Sequence, residues 1–551
     1  MPATSHPKDS TFVPLAVEFQ NMAVSRMIDE IDTLFAGWAR ADSPGAAVSV
    51  IRDGEILLKR GYGMANLDHD VPIAPSSIFH SASVSKQFTA MAVYLLAEEG
   101  GLSLDDDVRQ YVTEVPDFGM PITLDHLIHH TSGLRDQWEL LMLSGWRYSK
   151  DLITDEDVLR TIERQRVLNF PPGARFMYCN TGYTLLARVV ASISGQSFRR
   201  FTSSRIFEPL KMTRTFFRDR HGEVIKGAAY GYHPHEDGFD LAQTNLETVG
   251  ATSMLTTVED LARWDENFRS GRVGGRSVFE RMHRRGVLSD GSTVPYGGGV
   301  GLGTYRGLEI VEHTGGDAGF RSNFMRFPHH GLSVAILSNL SSIEPPALSR
   351  RIADICLRSK LEAGRRNDPP TTPRVSDPER LARMAGLYLD PEDGDESLHL
   401  HFHDGKLRGG APVAEQAHEL TEMEDGRFRY ALYPRTEFVV NEDRTLSAMV
   451  DGRFANRFIR SECFSYSPQD LEEFAGIYVS PETVYPYEVV LQKDGLASTA
   501  LKHPLQPMRP LAKDLFIEGR SRLRFTRDAA GAIRGLLLNT DRLRNVWFER
   551  L

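Results

Sequence analysis

A chain of 551 residues is too long for one ordinary hydrophobic core, and typical domain sizes point to two to four units. It is 41% hydrophobic and 25% charged, with 64 Lys and Arg against 74 Asp and Glu, for a formal charge of −10. There is no long basic run and no apolar run of bilayer length, which argues against nucleic acid and membrane as partners.

The opening Met1 to Asp9 lacks the apolar segment of a secretory signal, so the expected compartment is the cytoplasm. Cys179, Cys356 and Cys463 are odd in number and far apart. That spacing argues against a disulfide framework and a clustered metal site, and reduced thiols are expected. Residues 1 to 25 read as a loosely specified arm or a short extra helix. Met27, Ile28, Ile31, Leu34 and Phe35 then form a helical stripe. Ala46 to Ile51, the Asp53-Gly54 turn and Glu55 to Arg60 predict a strand hairpin.

The next segment, Phe79 to Thr89, carries Ser83 and Lys86 three residues apart at the start of a predicted helix. Val84, Phe88, Met91, Ala92, Leu95 and Leu96 recur at helical spacing, and Gly100-Gly101 supplies the stop, which places Ser83 in the first turn. Residues at i and i+3 share a face. A desolvated lysine loses proton affinity and can accept a seryl proton, while the free N–H groups of the turn point at whatever the oxygen attacks. The bare Ser-x-x-Lys pattern is also a common chance match.

Farther along, Thr123 is a predicted N-cap for a short helix ending at Gly133. The adjacent histidines have no third ligand at a helical or turn spacing beside them, and His126, His129 and His130 are read as structural. Tyr178 and Asn180 stand on a loop entering a helix whose stripe is Leu185, Leu186, Val189, Val190 and Ile193. A phenol beside ammonium groups can be held as phenolate and serve as general base, and the amide can hold a substrate carbonyl. A turn tyrosine and a capping asparagine account for the same two residues. Thr257 is expected to cap a further helix.

Gly297 to Gly303 has neither the Lys-Ser/Thr pair of a phosphate loop nor a dinucleotide spacing, and reads as a strand passing close to another backbone. His313, Thr314, Gly315 and Gly316 then predict an edge strand able to lie beside a substrate, with His313 as a proton donor.

Four separated signals thus occur in one order: Ser83-Val84-Ser85-Lys86, His130-Thr131-Ser132-Gly133-Leu134, Tyr178-Cys179-Asn180 and His313-Thr314-Gly315-Gly316. Together they resemble the serine hydrolases related to class C β-lactamases and penicillin-recognising DD-peptidases, over roughly Met27 to Leu340. The resemblance implies Ser83 as acylated nucleophile and Lys86 and Tyr178 as proton-transfer groups, with the order of the two bases left open. It implies Asn180 as the group that orients the substrate amide, His313, Thr314, Gly315 and Gly316 as the substrate-binding strand, and an oxyanion hole from the N–H groups of Ser83 and Gly316. Such a hole stabilises the transition state by a few kcal/mol. Where the β-lactamases carry Lys before Thr-Gly, this chain has His313, which is largely neutral near pH 7. The change weakens a carboxylate anchor and favours an uncharged or amine-bearing substrate. In detail the chain is most similar to the D-aminopeptidase branch, whose plan adds two β-barrels, with a loop of the last one entering the active site. The region Tyr485-Pro486-Tyr487 is taken as the candidate for that loop.

Beyond Arg365 the prolines 369, 370 and 373 mark a linker. Leu381 to Glu392 aligns with Leu471 to Glu482 at an offset of 90, and Asp404-Gly405 falls on Asp494-Gly495. Two homologous β modules follow. In the first, Leu398, Leu400 and Phe402 alternate with His399, His401 and His403, read as a solvated face.

The expected fold is therefore α+β: a β-lactamase/DD-peptidase-like domain over residues 1–365, a linker over 366–379, and lipocalin-like antiparallel barrels over 380–463 and 468–551. The expected function is a serine hydrolase cleaving amide bonds through an acyl-enzyme on Ser83, as a D-aminopeptidase-like peptidase or amidase. A carboxylesterase or acyl-transferring cyclase could use the same site, and a non-catalytic binding protein is the alternative of a different class. No cofactor or metal is expected. The partner is a small-molecule or short-peptide substrate, and a homodimer is what the resemblance implies.

Overall fold

Asp53 and Gly54 both adopt positive φ, at 52° and 84°, and turn the chain between strands Ala46–Arg52 and Glu55–Tyr62. Two left-handed residues match the twist of a tight hairpin. The computed structural model describes residues 15–148, 150–364, 374, 376–390, 397–410, 417–430, 436–441, 443, 445–450, 453–461 and 464–551. The hairpin forms one side of a six-stranded sheet completed by Gly301–Tyr305, Leu308–Asp317, Phe320–Phe327 and Leu332–Ser338. The last of these pairs with Ala46–Arg52, and every pairing is antiparallel.

Alternation along these strands sends side chains to two faces. Val48, Val50, Met325, Phe327, Val334 and Ile336 pack on Ile31, Phe35, Leu348 and Ile352, which belong to helices Leu15–Phe35 and Pro345–Cys356. Ala47, Phe324, Ala335 and Leu337 join the opposite core. There Phe88 of helix Lys86–Glu98 lies 4.5 Å, ring centre to ring centre, from Trp264 of helix Val258–Ser270. Each large apolar side chain buried in this way contributes roughly 1.5–3 kcal/mol. Helix Lys86–Glu98 is therefore anchored against the sheet by its own apolar stripe.

A helical region extends this second layer with Leu124–Ile128, Gln137–Leu143, Asp155–Glu163, Asn180–Ser194 and Phe198–Thr202. Thr123 caps the first of these, accepting from the His126 N–H at 3.1 Å, while the His126 ring accepts from the Thr123 N–H. That helix ends at Ile128, earlier than the Gly133 expected, because His130 turns left-handed at φ 58°. Thr257 caps Val258–Ser270 as expected.

The C-terminal region forms two closed eight-stranded antiparallel barrels, running from Gly386–Leu389 to Arg453–Ser461 and from Gly476–Val479 to Val546–Arg550. The sequence repeat is also a structural one. Tyr388 donates to the Met384 carbonyl at 3.0 Å, and its counterpart Tyr478 donates to that of Phe474 at 2.7 Å. Likewise Arg460 donates to the Ala385 carbonyl at 2.8 Å and Arg550 to that of Ala475 at 2.7 Å. Leu398 and Leu400 enter the first barrel's core, whereas the His399 and His401 rings stack on the other face, 6.4 Å apart.

Most of the expected linker, and Cys463, lie outside the described residues; Cys179 and Cys356 are free thiols. Among the described residues no cluster of three His, Cys, Asp or Glu could hold a metal, and no helix is long and apolar enough to cross a membrane.

Candidate active site

Ser83 lies in a 3-10 turn, Ala82–Ser85, and Lys86 is the first residue of the α-helix that follows. The sequence predicts Ser83 inside that helix. In a 3-10 turn, residues three apart eclipse one another, which brings the two side chains face to face. The turn is clamped on two sides. Ser81 Oγ donates to the Met254 carbonyl at 2.9 Å, the Met254 N–H donates to Ser85 Oγ at 3.1 Å, and Ser322 Oγ donates to the Ser81 carbonyl at 2.8 Å. Ala82 is held left-handed at φ 48°, a conformation costing a non-glycine residue on the order of 1–3 kcal/mol.

The Lys86 amine is fully buried, 3.0 Å from Ser83 Oγ, 2.9 Å from Asn180 Oδ1 and 2.7 Å from the Ala251 carbonyl. Burial, reinforced by the charge of Arg542, holds its pKa well below the usual lysine range. Two of its three partners are carbonyl oxygens, which only accept. In its neutral form the amine has two N–H bonds to give them, which leaves its lone pair for the Ser83 hydroxyl.

Asn180 begins helix Asn180–Ser194. It is not the cap: Cys179 holds that position without a side-chain capping bond. Asn180 is oriented instead by Asp136, a fully buried carboxylate whose Oδ2 accepts the Asn180 N–H at 2.7 Å and its Nδ2–H at 2.9 Å.

Tyr178 sits beside this group, with Lys86 Nζ 4.9 Å and the Arg542 guanidinium 5.1 Å from its ring centre. Burial pushes its phenol above the usual range, against opposing pulls from Ser83 and Arg542. A phenolate, one of the readings left open by the sequence, is thus not favoured by this burial. The Ser83 hydrogen bond and the Arg542 charge do not offset the loss of water around the ring.

His313 is also buried, and burial with the nearby Lys86 charge lowers its pKa to about 3. Its Nδ1 lies 2.6 Å from the Thr314 carbonyl and its Nε2 2.8 Å from Tyr296 OH. In the neutral ring Nδ1–H donates to the carbonyl, so Nε2 accepts from Tyr296. Nε2 is therefore an acceptor in this network, and the one ring proton is engaged by the Thr314 carbonyl rather than offered as the proton donor expected from the sequence.

Its strand is second in the sheet, but the neighbouring Gly301–Tyr305 pairs only with Leu308–Glu312. The stretch from His313 to Asp317 has an open side as an edge strand would, with Thr314 and Gly316 exposed. Gly315 abuts Ser81 and Ser322, and an added Cβ would lie 3.0 Å from that of Ala82. Gly299, at φ 73°, passes against the Lys86 backbone. The close approach expected of Gly297 to Gly303 is made there by a bend, and the strand starts only at Gly301.

His130 remains structural: its Nδ1 accepts the Cys179 N–H at 3.1 Å and its ring packs 4.3 Å from that of Tyr178. At the end of strand Leu308–Asp317, buried Asp317 accepts from Thr252 at 3.0 Å and from the Tyr148 hydroxyl, and lies 2.8 Å from His80 Nε2.

The second barrel reaches the site through the loop after strand Ile533–Asn539. Its Arg542 N–H donates to Glu139 at 3.1 Å, and Asn169 donates to the Arg542 carbonyl at 3.0 Å. Tyr485 to Tyr487, the expected loop, is not that segment: Tyr485 is exposed and Tyr487 is buried in its own barrel, bonded to Ser498 Oγ at 3.0 Å, while neighbouring Val484 donates to Ser144 Oγ at 3.1 Å.

Sequence reasoning therefore missed Asp136, Tyr296, Asp317 and Arg542. Asp136 follows closely on the His-Thr-Ser-Gly segment, a signal that could have marked it. Arg542 has no local signal.

A serine and a buried amine on this antiparallel sheet, with a tyrosine loop and a glycine-bearing strand around them, define a serine hydrolase of the β-lactamase type. The chain belongs to the Beta-lactamase family, which it matches over residues 31–357. It is 30% identical over 358 residues to a D-aminopeptidase from Gluconobacter oxydans, an alignment covering 65% of each chain and so just under two thirds of that enzyme. It is 28% identical over 516 residues to a D-aminopeptidase from Cereibacter sphaeroides, covering 90% of each. Among solved structures, an octameric penicillin-binding protein homologue from Pyrococcus abyssi superposes with a TM-score of 0.54 at 25% identity, covering 80% of this chain and all of that one.

Proposed function

We propose that the protein is a D-aminopeptidase-like amidohydrolase that works through an acyl-enzyme on Ser83. The observation that carries this reading is the Lys86 amine, fully buried and 3.0 Å from Ser83 Oγ, with two carbonyl oxygens as its other partners. Neutral Lys86 takes the seryl proton while Ser83 Oγ attacks the amide carbon. The oxyanion is received by the N–H groups of Ser83 and Gly316. As the C–N bond breaks, the Tyr178 hydroxyl gives its proton to the departing amine and regains one from the Lys86 ammonium. Water then attacks the ester with the same base, and Ser83 is released. The raised pKa of Tyr178 suits a proton donor, and the lowered pKa of Lys86 suits a base. The relatives named D-aminopeptidase supply the substrate class.

The test is hydrolysis of D- and L-alanine anilides, free and N-acetylated, beside a simple acyl ester, by wild type and Ser83→Ala. Cleavage of the free D-anilide by wild type alone supports the reading. Ester cleavage without anilide cleavage moves the protein to the esterases, and turnover by Ser83→Ala removes Ser83 as nucleophile.

A further inference from the structure

The main chain around Arg542 is held from several directions. Glu139 accepts the Arg542 N–H and the Thr540 hydroxyl, while Asn169 bonds both the Arg542 carbonyl and the Arg544 N–H, at 3.0 and 2.9 Å. Arg135 donates to the carbonyls of Arg544 and Asn545 at 2.9 and 3.2 Å and forms a buried ion pair with Glu482. An arginine on so constrained a backbone presents its head group with little ordering left to do on binding.

That head group is under-used. It stacks over Tyr178, and its nearest carboxylate oxygen, Asp136 Oδ2, is 3.8 Å away, beyond hydrogen-bond length. The same oxygen already accepts both N–H groups of Asn180. Among the described residues the guanidinium makes no hydrogen bond, and its side chain is 36% exposed. A planar fork of N–H donors, loosely ion-paired with Asp136 and hydrogen-bonded to none of the described residues, therefore stands beside the tyrosine that protonates the leaving group. Bidentate pairing with a carboxylate is what this geometry serves best.

We propose that Arg542 is a specificity residue that binds a carboxylate on the leaving group, so that the substrate is a short peptide whose free C-terminus lies one residue beyond the scissile bond. The proposal rests on the reading of Ser83 and Tyr178 above. It assigns a carboxylate-binding charge to the third domain, in a chain whose substrate strand carries neutral His313.

Paired thioesters test it: D-alanyl thioglycolate and D-alanyl thioglycolamide differ only in a carboxylate or carboxamide on the leaving thiol. Each is assayed with and without an N-acetyl group, on wild type, Arg542→Gln and Arg542→Lys, by thiol release. Wild type is expected to favour the carboxylate by about 10- to 100-fold in kcat/KM, the scale of a charged hydrogen-bonded pair. Arg542→Gln is expected to collapse that ratio towards one, and Arg542→Lys to keep part of it. An equal ratio for wild type, or a ratio unchanged in Arg542→Gln, overturns the proposal. If Arg542→Gln fails to fold, judged by Ser83 labelling with a serine-directed acylating probe, the wild-type and Arg542→Lys ratios decide. Cleavage of the N-acetyl compounds alone rejects the aminopeptidase reading, while their ratio still reports on Arg542.

Discussion

Asp136 determines which end of the Asn180 amide meets Lys86. By accepting the Nδ2–H of Asn180 at 2.9 Å, it leaves Oδ1 facing the lysine amine, at 2.9 Å. The carboxylate bonds neither Ser83 nor strand Leu308–Asp317, yet it orients an acceptor that directs the lysine lone pair. Asp136→Asn keeps the shape and removes the acceptor-only character. The expected result is a fall of about 10- to 100-fold in kcat with a smaller change in KM, as for loss of a charged hydrogen bond. Steady-state kinetics on the free D-anilide check it, and an unaltered kcat would show that Asn180 needs no such partner.

The pH profile follows from Lys86 and Tyr178. The base must be unprotonated, and burial together with Arg542 lowers the Lys86 pKa. The acid limb of kcat/KM is therefore expected well below the ordinary lysine value, and the phenol, raised by burial, places no alkaline limb below it. Removing the Arg542 charge lets Lys86 hold its proton more firmly. In Arg542→Gln the acid limb should move to higher pH, measured on the thioglycolamide; an unmoved limb would mean that Lys86 is not the titrating base.

Acid stability has a different origin. The folded protein holds His313 neutral down to about 3, against an ordinary value of 6.5. As pH falls below 6.5 the unfolded chain takes up a proton that the folded one refuses. Stability from this residue is present above 6.5 and is lost progressively towards 3. His313→Gln should flatten that part of the curve of denaturation midpoint against pH, and an identical slope would place the acid sensitivity elsewhere.

Gly315 and Gly316 should respond differently to alanine. A Cβ on Gly315 meets the Ser81 carbonyl and Ser322 Oγ, whereas one on Gly316 has Arg321 as its nearest neighbour, at 3.6 Å. Gly315→Ala is expected to cost about 1–3 kcal/mol and to displace the nucleophile turn, as overpacking does. Gly316→Ala should leave the melting temperature nearly unchanged. Thermal unfolding compares the two, and equal losses would refute the steric account.

Much of this was legible in the sequence because it is local. Ser83 and Lys86 are one turn apart, the hairpin turn announces itself as Asp53-Gly54, and the two barrels repeat a pattern of Tyr and Pro-Glu. What was hidden depends on burial or on distant docking. The protonation of Tyr178 and the acceptor role of His313 are set by enclosure, which no spacing records. Asp136 is adjacent in sequence to Arg135, yet its partner Asn180 belongs to another helix. Arg542 reaches Tyr178 only because the last barrel docks on the helical region, through Arg135 with Glu482 and through Glu139 with Thr540. Neither contact leaves a periodic trace.

The position of Arg542 also has a consequence for synthesis. A ribosome makes the nucleophile and its base long before it reaches the loop that carries the guanidinium. A nascent chain can thus possess its reactive serine while the residue proposed to select its substrate is still untranslated. Selectivity arrives last, with the docking of the final barrel, and a change that loosened that dock would blunt discrimination before it destroyed the nucleophile.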